Sequence, residues 1–190
     1  MLRTAGLVTA SLLLGTGAAD AQPPSQTISA CAACHGPGGN AQGAQFPSIA
    51  SQPKVFIENQ LVLIREGLRD IPAMKDVMSG MKDEEIIALA KYFAAQPITR
   101  KPAQIQPEKY RLGAQTSSKM LCGTCHLADY AGQNQVPRLA WQNEDYLHQA
   151  LRQFRDNPGP GRDTIMSASL YGLNDVDLAN LAHYLANYNP

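Results

Sequence analysis

The sequence predicts an all-α protein of two tandem domains, and three observations carry that prediction. Apolar residues recur at helical spacing, the second half of the chain repeats the first, and a proline-interrupted stretch separates them. Ile57, Leu61, Ile64 and Leu68 stand at steps of 4, 3 and 4, and Leu147, Leu151 and Phe154 at 4 and 3, so each half has a middle helix with one apolar face. A closing helix follows: Ile86, Leu89, Ala90 and Phe93 in the first half, and Leu178, Leu181, Ala182 and Leu185 in the second. Asn174 and Asp177 have the pattern of an N-cap and its partner three residues on, whereas the first half offers Lys82, a poorer cap. Gly36 to Ser51 and Leu127 to Gln142 are rich in Gly, Gln, Asn and Pro and read as irregular loop.

The repeat is detailed. Phe46-Pro47-Ser48-Ile49-Ala50 and Gln52 lie over Val136-Pro137-Arg138-Leu139-Ala140 and Gln142 at an offset of 90, with Leu61 over Leu151 and Arg65 over Arg155. Near the end of each half the offset is 92, which sets Met74 over Met166, Met81 over Leu173, Asp83 over Asp175 and Tyr92 over Tyr184. Pro97, Pro102 and Pro107 interrupt any helix between the halves, so 97–108 reads as an extended linker between domains at 22–96 and 109–190.

Residues 1–21 have the composition of an export signal. One positive charge at Arg3 precedes an apolar run from Ala5 to Ala19, and Ala19-Asp20-Ala21 supplies the small residues of a cleavage site after Ala21. The chain carries 16 Lys+Arg against 16 Asp+Glu with no charge runs, which removes the electrostatic case for nucleic-acid binding. The N-terminal run is the only long apolar one, so a multi-span membrane protein is excluded and membrane contact is expected only through partners.

All four cysteines fall in two identical constellations, Cys31-Ala32-Ala33-Cys34-His35 and Cys122-Gly123-Thr124-Cys125-His126. Two thiols separated by two residues reach the two vinyl groups of one haem, and the next residue delivers its imidazole to the iron. The chain is therefore expected to hold two covalently attached haem c groups. A thioredoxin-type C-x-x-C wants a βαβ context that is missing, and two plain disulfides would leave His35 and His126 unexplained. Each half is short for a self-sufficient core, a deficit that a buried cofactor fills.

The sixth iron position separates an electron carrier from an enzyme. Met166 is the only methionine after the second motif, 40 residues beyond His126, and Met74 stands 39 beyond His35 at the equivalent place in the repeat. Both are expected to be axial ligands, with Met78 and Met81 competing with Met74. The metal ligands read from the sequence are thus His35, Met74, His126 and Met166. His148 and His183 have no counterparts at Glu58 and Lys91 and are expected at the surface or in structural roles; Trp141 is expected to pack or to shield haem.

Taken together, these residues resemble the dihaem class I cytochromes c of the cytochrome c4 type over nearly all of the chain beyond the export signal. The resemblance implies two tandem all-α cytochrome c-like haem domains and a periplasmic protein that ferries electrons. It also implies that Pro47 and Pro137 offer carbonyls to the Nδ1 protons of His35 and His126, and that Arg69 and Arg162 bind haem propionates. Two departures stand out: the N-terminal helix of the first half must be shortened, and Leu127-Ala128-Asp129-Tyr130 replaces the Gly-rich stretch after the second motif. The expected partners are a dehydrogenase donor and an oxidase or reductase acceptor, and the chain could equally be the cytochrome subunit of one dehydrogenase. The rival expectation is a haem enzyme, a dihaem peroxidase or sulfur-compound oxidoreductase, in which one haem loses its Met to bind substrate.

Overall fold

Helical spacing becomes helix in both halves. The structure, a computed structural model, describes residues 23–99 and 105–189, so the predicted export signal lies outside the described residues. The first half comprises α1 (Ser25–His35), α2 (Lys54–Arg65), α3 (Pro72–Met78) and α4 (Asp83–Ala94). The second comprises α5 (Pro107–Lys119), α6 (Cys122–His126), α7 (Glu144–Asp156), α8 (Thr164–Ser169) and α9 (Asp175–Ala186). Among the described residues, β-structure is confined to one bridge between Gln133 and Val136.

Each half has its own core. In the first, Ile57 and Ile64 of α2 pack with Ile86, Leu89, Ala90 and Phe93 of α4, and Met78 and Met81 complete the cluster. In the second, Leu147 and Leu151 of α7 meet Leu178, Leu181, Ala182 and Leu185 of α9, with Leu170 and Tyr130. The repeated arginines brace these helix pairs alike. Arg65 Nη1 donates to the Met81 carbonyl (3.0 Å) and to Asp83 (2.7 Å); Arg155 Nη1 donates to the Leu173 carbonyl (3.1 Å) and its Nη2 to Asp175 (2.6 Å).

Helix ends follow local chemistry. Asn174 Oδ1 accepts from the backbone of Val176 and Asp177, and Asp177 accepts from Asn174 N–H, a reciprocal cap. At α4 only the return half forms, with Glu85 accepting from Lys82 N–H. Leu68 lies outside its expected helix: Gly67, at φ 69°, ends the last turn, and Leu68 is 51% exposed. Pro107 does not interrupt a helix but opens α5, where its missing N–H costs nothing, so helix begins two residues inside the expected linker. The short helices α3 and α8, which carry Met74 and Met166, were not expected from periodicity.

The halves differ at their N-terminal helices. α5 packs against α9 so closely that a Cβ on Gly113 would lie 2.1 Å from the Asn180 carbonyl oxygen. Leu121, at φ 55°, then separates α5 from α6. In the first half one uninterrupted helix, α1, runs from Ser25 through the cysteine motif to His35.

Candidate haem sites and the interface between them

Each C-x-x-C-H motif ends a helix, so its histidine is placed where the chain leaves the helix and turns into the long loop. His35 Nδ1 donates to the Pro47 carbonyl at 2.9 Å and His126 Nδ1 to the Pro137 carbonyl at 2.8 Å. With Nδ1 committed, Nε2 is the nitrogen left to bind a metal. Burial pushes both imidazole pKa values below 6.5, against the opposing pull of the proline carbonyl, which keeps the rings neutral as ligation requires. None of the four cysteines is in a disulfide; Cys34 and Cys125 are exposed and Cys31 and Cys122 half-buried, with burial raising the pKa of the latter two.

The methionines separate by burial. Met78 (2% exposed) and Met81 (8%) belong to the first core, standing where the second half has Leu170 and Leu173. Met74 and Met166 are only partly buried, at equivalent positions of α3 and α8, each packed against the edge of its core. Asp163 caps α8 by accepting from Met166 N–H at 2.8 Å, and Met74 N–H donates to the Ile71 carbonyl at 2.9 Å, so both backbones are pinned.

The loops after the two motifs share a path. Ile49 and Ala50 N–H donate to the Gly39 carbonyl, as Leu139 and Ala140 N–H do to that of Tyr130. Gly39 at φ 80° is replaced by Tyr130 at φ 54°, and Gly36 at φ 74° by Leu127 at φ 69°. The second half keeps the left-handed backbone without glycine and is compensated by packing: Tyr130 is buried, meets Tyr184 and Tyr188 edge to face, and its hydroxyl pairs with Ser117 at 2.8 Å.

The two loops face each other across the domain interface. Gln142 Oε1 accepts from Ser48 N–H (2.7 Å) while its Nε2 donates to the Ser48 carbonyl (2.9 Å). Gln52 does the same to Arg138, accepting from its N–H at 2.9 Å and donating to its carbonyl at 3.0 Å. Asn143 Nδ2 adds bonds to the carbonyls of Gly43 and Phe46.

Arg138 is the residue that sequence reasoning passed over. It is 2% exposed, and its guanidinium donates only to carbonyls, those of Ala140, Ala50 and Ser48, while its Nε has no partner. Desolvation lowers its pKa to about 10. A buried cation with an orphaned donor and no carboxylate suits an anionic group, which the carboxylates of a haem would provide. The only sequence signal was a charged residue facing Ser48 in the repeat. Arg69 and Arg162 donate to the glutamine side chains of Gln60 and Gln153. His183 is fully buried, its Nδ1 at 2.9 Å from Glu144 and its Nε2 accepting from Gln106 N–H, the structural role expected of it. His148 lines an open surface hollow of about 350 Å³ with Asp145, Arg152 and Asp156. Trp141 packs on the second core and donates to the Tyr188 carbonyl.

Paired thiols and a neutral histidine fixed through Nδ1 fit haem, as does the buried uncompensated Arg138 of the second half, and the duplication of the thiol and histidine set on two helical domains defines a c-type cytochrome with two covalent haems. Comparison with known proteins narrows the class. Residues 19–93 match the family of the cbb3-type cytochrome c oxidase subunit III and residues 110–189 the cytochrome c family. A cytochrome c4 from Thiocapsa roseopersicina is 33% identical over 82% of this chain and 85% of its own. The crystal structure of reduced cytochrome c4 from Pseudomonas stutzeri superposes with a TM-score of 0.78, covering 85% of this chain and 95% of that one at 24% identity, which bears on the fold. A thiosulfate dehydrogenase electron acceptor from Thiomonas intermedia is 25% identical over 87% of this chain and 81% of its own. The chain belongs to the cytochrome c4 family.

Proposed function

We propose that this dihaem cytochrome is an exported, periplasmic carrier that passes single electrons between respiratory partners, with His35 and Met74 as axial ligands in the first domain and His126 and Met166 in the second. Bound haem supplies one-electron cycling of iron between ferric and ferrous states. The protein's part is to hold both axial ligands in place in both states, so that little reorganises on transfer. Cys31 and Cys34, and Cys122 and Cys125, anchor the two groups. The Pro47 and Pro137 carbonyls fix the ring planes of His35 and His126, and the Met thioethers favour the ferrous state. Arg138 supplies buried donors for propionate. The residues of the export signal, 1–21, carry the chain to the compartment where a cleaved leader leaves it.

The observation that supports this reading best is the matched placement of Met74 and Met166, partly buried at the starts of equivalent short helices, while Met78 and Met81 fill the first core. One of the two spare histidines that an enzyme could use as distal acid or base is otherwise engaged: His183 is tied to Glu144 and Gln106. The donor we favour is a dehydrogenase, in keeping with the resemblance to a thiosulfate dehydrogenase electron acceptor. An optical redox titration of the purified mature protein tests the proposal through the weak far-red band that ferric haem shows when Met sulfur is bound. Two reversible bands are expected. One band alone, or carbon monoxide binding to the reduced protein, would make the haem lacking Met a reaction site.

A further inference from the structure

We propose that each domain tunes the haem of the other through a hydrogen-bonded relay, with Gln142 acting on the first haem and Gln52 on the second as positioning residues. The geometry is specific. The peptide group that joins Pro47 to Ser48 presents its carbonyl oxygen to His35 Nδ1–H and its N–H to Gln142 Oε1, at 2.9 and 2.7 Å. The peptide group joining Pro137 to Arg138 presents its carbonyl to His126 Nδ1–H and its N–H to Gln52 Oε1, at 2.8 and 2.9 Å. A peptide whose N–H is bonded carries more negative charge on its oxygen, so bonds in such a chain strengthen one another, most of all away from water. Ser48, Arg138, Gln52 and Gln142 are all at most 7% exposed.

The second bond of each glutamine, to the carbonyl of Ser48 or Arg138, locks the side-chain amide so that Oε1 and not Nε2 faces the relay. A stronger acceptor at the proline carbonyl makes the histidine a more basic ligand, which stabilises ferric iron. The relay therefore lowers the potential of each haem, and the residue that sets it belongs to the opposite domain.

The test compares Gln142→Ala and Gln52→Ala in the intact, haem-loaded protein. Each haem's midpoint is followed by its own hyperfine-shifted NMR signals, assigned through contacts to Phe46 in the first domain and Tyr130 in the second. Gln142→Ala should raise the midpoint of the first haem, with about a threefold change in its ferric-to-ferrous ratio, about 28 mV at 59 mV per tenfold, and leave the second in place. Gln52→Ala should do the reverse. Shifts confined to the variant's own domain, equal shifts of both haems in both variants, as general loosening of the interface would give, or no shift at all would overturn the proposal. It rests on His35 and His126 being axial ligands. Hyperfine-shifted imidazole protons in the unaltered protein test that separately, because their absence would remove the ligation while their presence without crossed shifts would remove only the relay.

Discussion

Met74 and Met78 lie four residues apart on α3, and substituting each with leucine separates ligand from core filler. Met78 is 2% exposed within the cluster of Ile57, Ile64, Ile86 and Phe93, and its counterpart in the second half is Leu170, itself 1% exposed. Leucine is thus already accepted at that place in the fold, and a volume-conserving exchange of this kind costs under about 1.5 kcal/mol. Truncation to alanine would leave a cavity and cost about 2–5 kcal/mol. Met74 is only partly buried, so Met74→Leu removes little packing but deletes the one sulfur expected at the first iron. The ferric far-red absorption should fall by half in Met74→Leu and stay whole in Met78→Leu, while denaturant unfolding shows a small loss in both. If Met78→Leu halves the band and Met74→Leu keeps it, the inference from burial to ligation is wrong.

Three further outcomes follow from the structure. Gly113→Ala drives a methyl group to 2.1 Å from the Asn180 carbonyl oxygen and 2.6 Å from Tyr184 Cβ, so α5 must lift off α9; overpacking of about 1–3 kcal/mol or more should show as a lower unfolding midpoint of the second domain by circular dichroism. Arg138→Met should weaken the interface and leave the carbonyls of Ala50 and Ala140 short of donors, at about 1–3 kcal/mol for each orphaned group, read as lost cooperativity between the unfolding of the two domains. Arg155 holds the carboxyls of Asp156 and Asp175 below their usual range of 3.8 through charge-assisted hydrogen bonds. Their folded pKa is depressed, so the pairs contribute stability above about pH 4 that is lost as acid titrates them; Arg155→Gln should flatten the acid limb of a stability-versus-pH curve for the second domain.

Much of this molecule was legible in its sequence because its chemistry is local. A C-x-x-C-H motif is five adjacent residues, a helix is a spacing of three and four, and an N-cap such as Asn174 with Asp177 is read within one turn. The reading failed where geometry overrules spacing. Leu68 continued the apolar rhythm of α2, but Gly67 had already turned the chain. Pro107 has the look of a breaker, yet proline is at home in a first helical turn and opens α5. The competition among Met74, Met78 and Met81 could not be resolved by spacing, since all three lie within one short segment; burial distinguishes them, with Met78 and Met81 inside the core and Met74, a turn earlier on α3, only partly covered. The interface was the least legible part. Gln52 and Gln142 were visible as a repeated pair, yet nothing in a linear repeat says that each copy binds the other and not itself.

That exchange between copies gives the asymmetry of the two halves its meaning. The second domain has α5 seated on α9 and a cluster of Tyr110, Tyr130, Tyr184 and Tyr188 stacked edge to face, and burial raises the pKa of the Tyr184 and Tyr188 hydroxyls. The first has a single helix, α1, that carries its haem motif with no separate helix before it, glycine where the second has Tyr130, and serine where the second has Arg138. Most of the asymmetric bonds across the interface run from the second half to the first: Arg138 to the Ser48 and Ala50 carbonyls, Asn143 to those of Gly43 and Phe46, Tyr146 N–H to that of Ala44. The better-braced domain thus lends its donors to the loop that carries Pro47, and the proximal hydrogen bond of His35 is held from outside its own domain. Both proximal peptides are held across the interface by a glutamine, but the first loop receives the additional donors, so the two haems are expected to have unlike surroundings and unequal midpoints; two coincident midpoints in the redox titration would refute that expectation.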